Sequence, residues 1–301
     1  MPKPYSLCIL SLKNPNSLNE SRSSVHMVTW ALWNEFSKMQ HVTLEFQSIY
    51  EPLVEISPDF VLFHACFGEL EFGRLAELRK RAKYKTMSFM ELPLSKEYVD
   101  YCFIYLPQTT FQHCEEISLP CLSSALNEHI STKVPGSILL DHMWPPYHRT
   151  QKEWSQYLYE WLSSYRKHAK CSISQLRRGG CESIEKFPPW VTPIPEKPYT
   201  EYLDATAHFE TYILTHPGSY EHSVIDMAYR GTRVLVPVMH GQPFIPKSTI
   251  ERLNLQTFTS RLDLLALLRA PTQVKHNRQS FTDAAEIALR IDNYCQKTLE
   301  A

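Results

Sequence analysis

Apolar residues fall in short continuous blocks along the first half of the chain, and between them lie segments whose apolar positions recur every three or four residues. SLCILSL (6–12), PDFVLFHACF (58–67), KTMSFMEL (85–92) and YCFIYLP (101–107) read as strands buried on both faces, and VTLEFQSIY (42–50) alternates like a strand with one wetter face. Ser24 to Lys38 predicts a helix, with Val28, Leu32 and Phe36 on one face, and Leu75 to Arg81 predicts another. Strand and helix signals in turn give the β-α-β rhythm of a parallel, doubly wound sheet.

The rhythm falters between Pro107 and Gly136 and restarts at SILLDHMW (137–144). A helix from Glu153 to His168 follows, with Trp154, Tyr157, Leu158, Trp161 and Leu162, and then the strand CSISQL (171–176). FPPWVTPIPEKPY (187–199) is too rich in proline for a helix and reads as a loop. A short helix (199–207), the strand TYILTH (211–216), a helix near 223–230 and the strand RVLVPV (233–238) come next. Ser260 with Asp263 forms a capping box ahead of LLALL, and Thr282 to Leu299 predicts the last helix. The expected architecture is α/β, with two tandem Rossmann-like domains, 1–130 and 131–301.

The 301 residues suit two domains of roughly 150 each. A net charge of -1 removes any global field toward nucleic acid or anionic lipid. The 8 cysteines form no C-x-x-C and have irregular spacing, which predicts reduced thiols, no metal site and a cytoplasmic protein. His113 and Cys114 adjoin, but two neighbouring ligands do not make a metal centre. MPKPYSLCILSL reads as a first strand, not a leader, and no apolar run approaches the ~20 residues of a membrane span.

Ligands of open parallel sheets bind beyond the carboxyl ends of the strands, so the loops there carry the candidate chemistry. Thr215 to Pro237, THPGSYEHSVIDMAYRGTRVLVP, joins a strand end, a glycine turn, a short helix with Glu221 and Asp226, and a second strand. The helix start offers N–H groups and a positive dipole end to a diphosphate, and Gly218 permits close approach. Ser223-x-x-Asp226 is equally a capping box that ties down the helix start.

This run resembles the donor-binding signature of the GT-B glycosyltransferases, through His216, Gly218, Ser219, Glu221, Asp226, Gly231 and Val234 to Pro237. The resemblance implies two Rossmann-like domains facing across a cleft. It implies that Asp226 binds the ribose hydroxyls, that Glu221 faces the hexose or the loop beside it, that Gly218 and Ser219 face the diphosphate, with Ser223 beside them, and that the last helix can pack back on the first domain. The sequence departs from the signature in the short Glu221 to Asp226 spacing and in Thr232 and Arg233 after Gly231, which leaves retention or inversion open.

Cations for the diphosphate are offered by Arg149 and Lys152, with His148 beside them, after the first strand of the second domain, and by Arg177 and Arg178 after the next. Trp190 is placed to cover a base or to fill the core. The chain contains no Asp-x-Asp, so the expected enzyme is metal-independent and without cofactor, and a nucleotide sugar serves as co-substrate. A catalytic base would come from the first domain, with His64, Glu69 and Glu91 at strand ends as candidates and a near-neutral histidine as the suitable group. Asp141 and His142 end another strand, as hinge or acceptor contact. The basic patch Arg74, Arg79, Lys80, Arg81, Lys83 and Lys85 with Tyr84 makes DNA one possible acceptor beside a saccharide or small molecule. The rivals are a nucleotide-sugar epimerase of the same fold and a non-catalytic α/β binding protein. A dehydrogenase is disfavoured because no G-x-G-x-x-G follows the first strand.

Overall fold

The computed structural model describes residues 1–12, 24–50, 58–64, 73, 75–76, 80, 85–90, 94–104, 112–117, 121–142, 149–177, 187–215, 222–272 and 281–301. The chain divides into two compact units, Met1–Leu122 with Thr282–Ala301, and Ser123–Phe281. The division lies at Leu122/Ser123 rather than at 130/131, and the final helix belongs with the first unit.

In unit 1 the apolar blocks become β1 (Tyr5–Ser11), β3 (Phe60–Phe63), β4 (Lys85–Met90) and β5 (Tyr101–Ile104), joined by β2 (Val42–Ser48) and β6 (Cys114–Glu116). All pairings are parallel and the order is β2-β1-β3-β4-β5-β6. Alternate residues point to opposite faces. Cys8, Leu10, Val61, Phe63, Met90, Cys102 and Ile104 therefore form one buried layer with Leu94 and Val99. Helix α1 (Ser24–Phe36) buries Val25, Val28, Leu32 and Phe36 at helical spacing, as its pattern predicts. The helix expected over Leu75–Arg81 lies largely outside the described residues.

Unit 2 comprises α2 (Ser123–Glu128), β7 (Val134–Leu140), α3 (Arg149–Arg166), β8 (Ser172–Leu176), β9 (Thr192–Ile194), α4 (Tyr199–Thr206), β10 (Phe209–Ile213), α5 (His222–Tyr229), β11 (Arg233–Met239), β12 (Gln242–Pro243), α6 (Lys247–Leu253), β13 (Gln256–Phe258) and α7 (Arg261–Arg269). Its parallel strands run β9-β8-β7-β10-β11-β13, with β12 antiparallel on β11. This is the Rossmann order, in which the chain winds from β7 first one way and then the other.

Two local readings are corrected. The proline-rich stretch contains β9, which pairs only with β8, so Pro193 sits where a missing N–H costs no inner ladder bond. The faltering stretch holds β6, α2 and the start of β7. Their apolar runs are too short to announce themselves.

Buried polar side chains close the elements. Gly231, at φ +80, ends α5 in a Schellman turn, with Gly231 N–H on Ala228 O (3.1 Å) and Thr232 N–H on Met227 O (2.9 Å). Arg233 donates to Leu267 O (2.7 Å) and Ala270 O (3.1 Å) at the carboxyl end of α7, which gives the arginine after Gly231 and Thr232 a structural role. The expected Ser260 cap holds: Ser260 Oγ accepts from Asp263 N–H at 3.2 Å. Asp263 itself reaches back to accept from Thr259 N–H at 3.1 Å.

The last helix, α8 (Ala284–Glu300), joins unit 1 through Asp292, whose Oδ1 accepts from Tyr5 Oη and His41 Nε2, both at 2.8 Å. Its own Ile287, Ile291 and Cys295 are fully buried. Asp292→Ala removes one acceptor and strands a buried hydroxyl and a ring N–H. The expected loss in urea unfolding is about 2 to 4 kcal/mol. A change below about 0.5 kcal/mol, the level of an ordinary surface substitution, would refute this anchoring role.

Candidate functional site

In a doubly wound sheet a crevice opens where the winding direction reverses, beyond the carboxyl ends of the two diverging strands. In unit 2 those strands are β7 and β10. β7 runs out into Asp141 and His142, and β10 into Leu214 and Thr215. Their backbones are laced together: Asp141 N–H reaches Ile213 O (3.1 Å), and Thr215 Oγ1 donates to His142 O (2.7 Å).

Asp141 is fully buried. Its Oδ1 accepts from the His142 backbone N–H (2.7 Å) and from His142 Nδ1 (2.9 Å). A carboxylate can only accept, so the His142 Nδ1 in this pair carries a proton. From β8, Gln175 Nε2 donates to Asp141 O (3.1 Å), and its Oε1 accepts from Tyr159 Oη (2.5 Å). The switch point therefore holds an oriented aspartate–histidine pair. Sequence reasoning names both residues, but Thr215 and Gln175 become visible only through the strand register.

Helix α5 starts beside this point. It begins at His222, so Ser223 lies inside it and cannot be its N-cap. Ser223 Oγ instead bonds Tyr212 Oη (2.8 Å), and the Asp226 carboxylate accepts from Tyr199 Oη (3.0 Å) on α4. The capping-box reading of Asp226 is thereby corrected. Its Oδ2 has no hydrogen-bond partner among the described residues. Asp226 is 1% exposed, and burial raises its pKa to about 7, with Arg230 and the Tyr199 hydrogen bond acting against the rise. Arg230 is itself committed to the carboxyl end of α4, on Leu203 O (2.7 Å) and Thr206 Oγ1 (2.9 Å), so it offsets only part of the desolvation cost.

Arg149 and Lys152 fall in the first turn of α3 rather than in a loop ahead of it. Arg177 follows β8, and its guanidinium lies over the Phe187 ring at 4.9 Å. Trp190 packs edge-on against Tyr159 (6.1 Å between ring centroids), with Arg166 5.8 Å from its ring centre. His216, Gly218, Ser219, Glu221, Arg178, Glu69 and Glu91 lie outside the described residues. In the basic patch, Lys80 and Lys85 are exposed, and the other members lie outside the described residues.

In unit 1 the winding reverses between β1 and β3, and His64 stands at the carboxyl end of β3. Its N–H bonds Leu10 O on β1 (3.0 Å), and its ring Nδ1 donates to Phe89 O on β4 (2.6 Å). Nε2 has no partner among the described residues. Complete burial lowers the pKa to about 4, against the Phe89 hydrogen bond and helped by His26 on α1. His64 is therefore neutral at pH 7, well below the near-neutral value that sequence reasoning assumes for it.

No protein-family model and no curated protein matches the chain. Among solved structures it is similar to UDP-GlcNAc 2-epimerase of Neisseria meningitidis bound to UDP-GlcNAc, at 10% identity over 98% of this chain and 100% of that one, with TM-score 0.61. It is also similar to UDP-GlcNAc 2-epimerase of Methanocaldococcus jannaschii in complex with UDP-GlcNAc and UDP (10%, 96% and 99%, TM-score 0.57). The glycotransferase of kitacinnamycin gives 10% identity over 98% and 99%, with TM-score 0.57. At such identity the likeness establishes the fold, and this chain has the GT-B fold. Among the described residues no helix is long and apolar enough to cross a membrane.

The folded state keeps the Asp226 proton up to about 7, whereas an unfolded chain releases it near 3.8. Folding therefore loses stability as pH rises between those values, by on the order of 4 kcal/mol, and carries the full penalty above them. His64 acts oppositely, adding stability as pH rises from about 4 to 6.5. The difference between Asp226→Asn and the parent chain isolates the aspartate. The Asp226→Asn variant is expected to gain relative stability from pH 4 to 7, measured by urea unfolding at each pH, and parallel curves would contradict the buried acid.

Proposed function

We propose that the chain is a nucleotide-diphosphate-sugar enzyme that moves the sugar to an acceptor hydroxyl. The observation that carries this reading is Asp226. It is an acid on the helix that follows β10 at the unit-2 switch point, with one oxygen fixed by Tyr199 and the other buried without a partner among the described residues, a polar atom that a ligand hydroxyl would satisfy once the site opens to it. The UDP-sugars in the solved relatives and the donor signature in the sequence support the same assignment.

In this reading Asp226 grips the ribose hydroxyls. Gly218 and Ser219, with the first turn of α5, face the diphosphate, and His216, Glu221 and Ser223 complete the donor site. Arg149, Lys152, Arg177 and Arg178 are the candidate cations for the leaving diphosphate. Helix dipole and cations together stabilise the charge that develops as the glycosidic bond breaks. His64, Glu69 and Glu91 are the candidates for acceptor deprotonation. His64 has the right tautomer, but its low pKa makes it a weak base.

A second reading has an observation of its own. The Asp141–His142 pair places an oriented histidine ring beyond the carboxyl end of β7, next to β10 from which the Asp226 helix follows, and a histidine there suits an epimerase that removes and returns a proton on the sugar. An epimerase needs no acceptor.

Calorimetry against UDP-, GDP-, ADP- and CMP-sugars, with product analysis by NMR, tests both. One nucleotide sugar is expected to bind with unit stoichiometry, and Asp226→Ala is expected to weaken it more than tenfold in a folded protein. Unchanged affinity in that variant overturns the donor-site assignment. Sugar isomerised in the absence of acceptor, and lost in His142→Ala with binding retained, replaces transfer by epimerisation. Binding without turnover leaves a non-catalytic receptor.

A further inference from the structure

Unit 1 carries a second group of chemically capable side chains, on β5 and the edge strand β6. The parallel register sets Cys102 opposite Cys114. The Cys102 N–H donates to His113 O at 2.8 Å, which draws the residue before Cys114 to the same place. One ring nitrogen of His113 and the sulfurs of Cys102 and Cys114 all lie within 4.8 Å of one another. Three residues that the sequence separates thus converge on one point. The adjacency of His113 and Cys114 alone gives no hint of it.

The chemistry of the three donors is coherent. Two thiolates and an imidazole make a soft, borderline set that selects Zn2+ or Cu+ over the hard cations. Bonds of about 2.3 Å to sulfur and 2.0 Å to nitrogen in a tetrahedron separate ligand atoms by roughly 3.5–3.8 Å. The observed upper limit therefore asks only a small contraction. The His113 ring is oriented by Leu94 O: a carbonyl can only accept, so His113 Nε2–H donates to it at 2.9 Å, and Nδ1 is the nitrogen the proposed site would use. A carbonyl partner of this kind is the usual support of a metal-bound imidazole. Leu94 O also receives Cys102 Sγ at 3.4 Å, which orients that sulfur as well. Cys102 is fully buried, while His113 and Cys114 are half-exposed and give an ion a way in.

We propose that Cys102, His113 and Cys114 form a thiophilic metal site, with Zn2+ as the expected ion, that fastens the short edge strand β6 to β5. Binding exchanges protons for metal: each thiol releases one proton to solvent, two metal–sulfur bonds and one metal–nitrogen bond form, and a water takes the fourth position. No electron is transferred. The ligands lie toward the amino ends of β5 and β6, whereas His64 lies beyond the carboxyl end of β3, so the site is distinct from the unit-1 switch point.

The test uses the full chain, reduced and stripped of metal by chelation, titrated with Zn2+ in a calorimeter and with Co2+ in a spectrophotometer. The expected result is one high-affinity equivalent, thiolate-to-cobalt charge-transfer bands in the near ultraviolet, and a rise in Tm with Zn2+. Cys114→Ser is expected to weaken Zn2+ at least 100-fold and to remove the Tm response. Cys171→Ser, a half-exposed thiol of unit 2, is expected to match the parent chain. Failure of the parent chain to take up one equivalent, or a Cys114→Ser protein that binds like the parent, overturns the proposal. A Cys102–Cys114 disulfide found by mass mapping after mild oxidation, with no zinc uptake by the reduced chain, overturns it in favour of a redox pair.

Discussion

A parallel pair of strands cannot be closed by a hairpin. The chain must leave the sheet, cross a face and return at the same end, so every strand of a parallel sheet delivers its carboxyl end to one edge. Both units are built on this constraint. In unit 1 it sets β1 and β3 on either side of a reversal and puts His64 beyond the second. In unit 2 it sets the neighbours β7 and β10 on either side of a reversal in the same way and puts Asp141, His142 and Thr215 beyond their carboxyl ends. The switch-point residues of each unit lie at this edge because all its parallel strands end there.

What fixes the unit-2 edge is a set of buried polar contacts between elements distant in sequence. Tyr199 on α4 holds Asp226 on α5, and Arg230, at the end of α5, closes the carboxyl end of α4. Arg233 does the same for α7 from the start of β11. Helix ends that would otherwise leave carbonyls unpaired in the core are thereby satisfied, and the helices are locked at defined positions on the sheet. The cost is visible at Asp226, an acid that burial holds near a pKa of 7. A group poised in this way responds to a hydroxyl or a charge brought beside it, which is the behaviour expected of a binding site.

The sequence disclosed the strands that are buried on both faces, because FVLF or SILL can hardly be anything else, and it disclosed the helices whose apolar stripe is long. It hid β6 and β9, which are three residues each and lie at sheet edges, one of them around Pro193. In the site, the acid at 226 was legible but its partner was not. Ser223 stands three residues away and suggests a cap, while Tyr199, 27 residues away, makes the bond. Likewise His64 was legible as a strand-end histidine, but its burial against Phe89 was not, and with it the low pKa. Local spacing conveys which residue types are present. Register and burial, which decide what those residues can do, depend on strand order.

The account turns on the unit-2 switch point being the place where a nucleotide sugar binds. Amide hydrogen exchange with and without a UDP-sugar measures this most directly, because it reports the backbone residue by residue. The account predicts slowed exchange concentrated in the first turn of α5, in residues 141–142 after β7 and in residues 214–215 after β10. Protection confined to other segments, or none at saturating ligand, would contradict it.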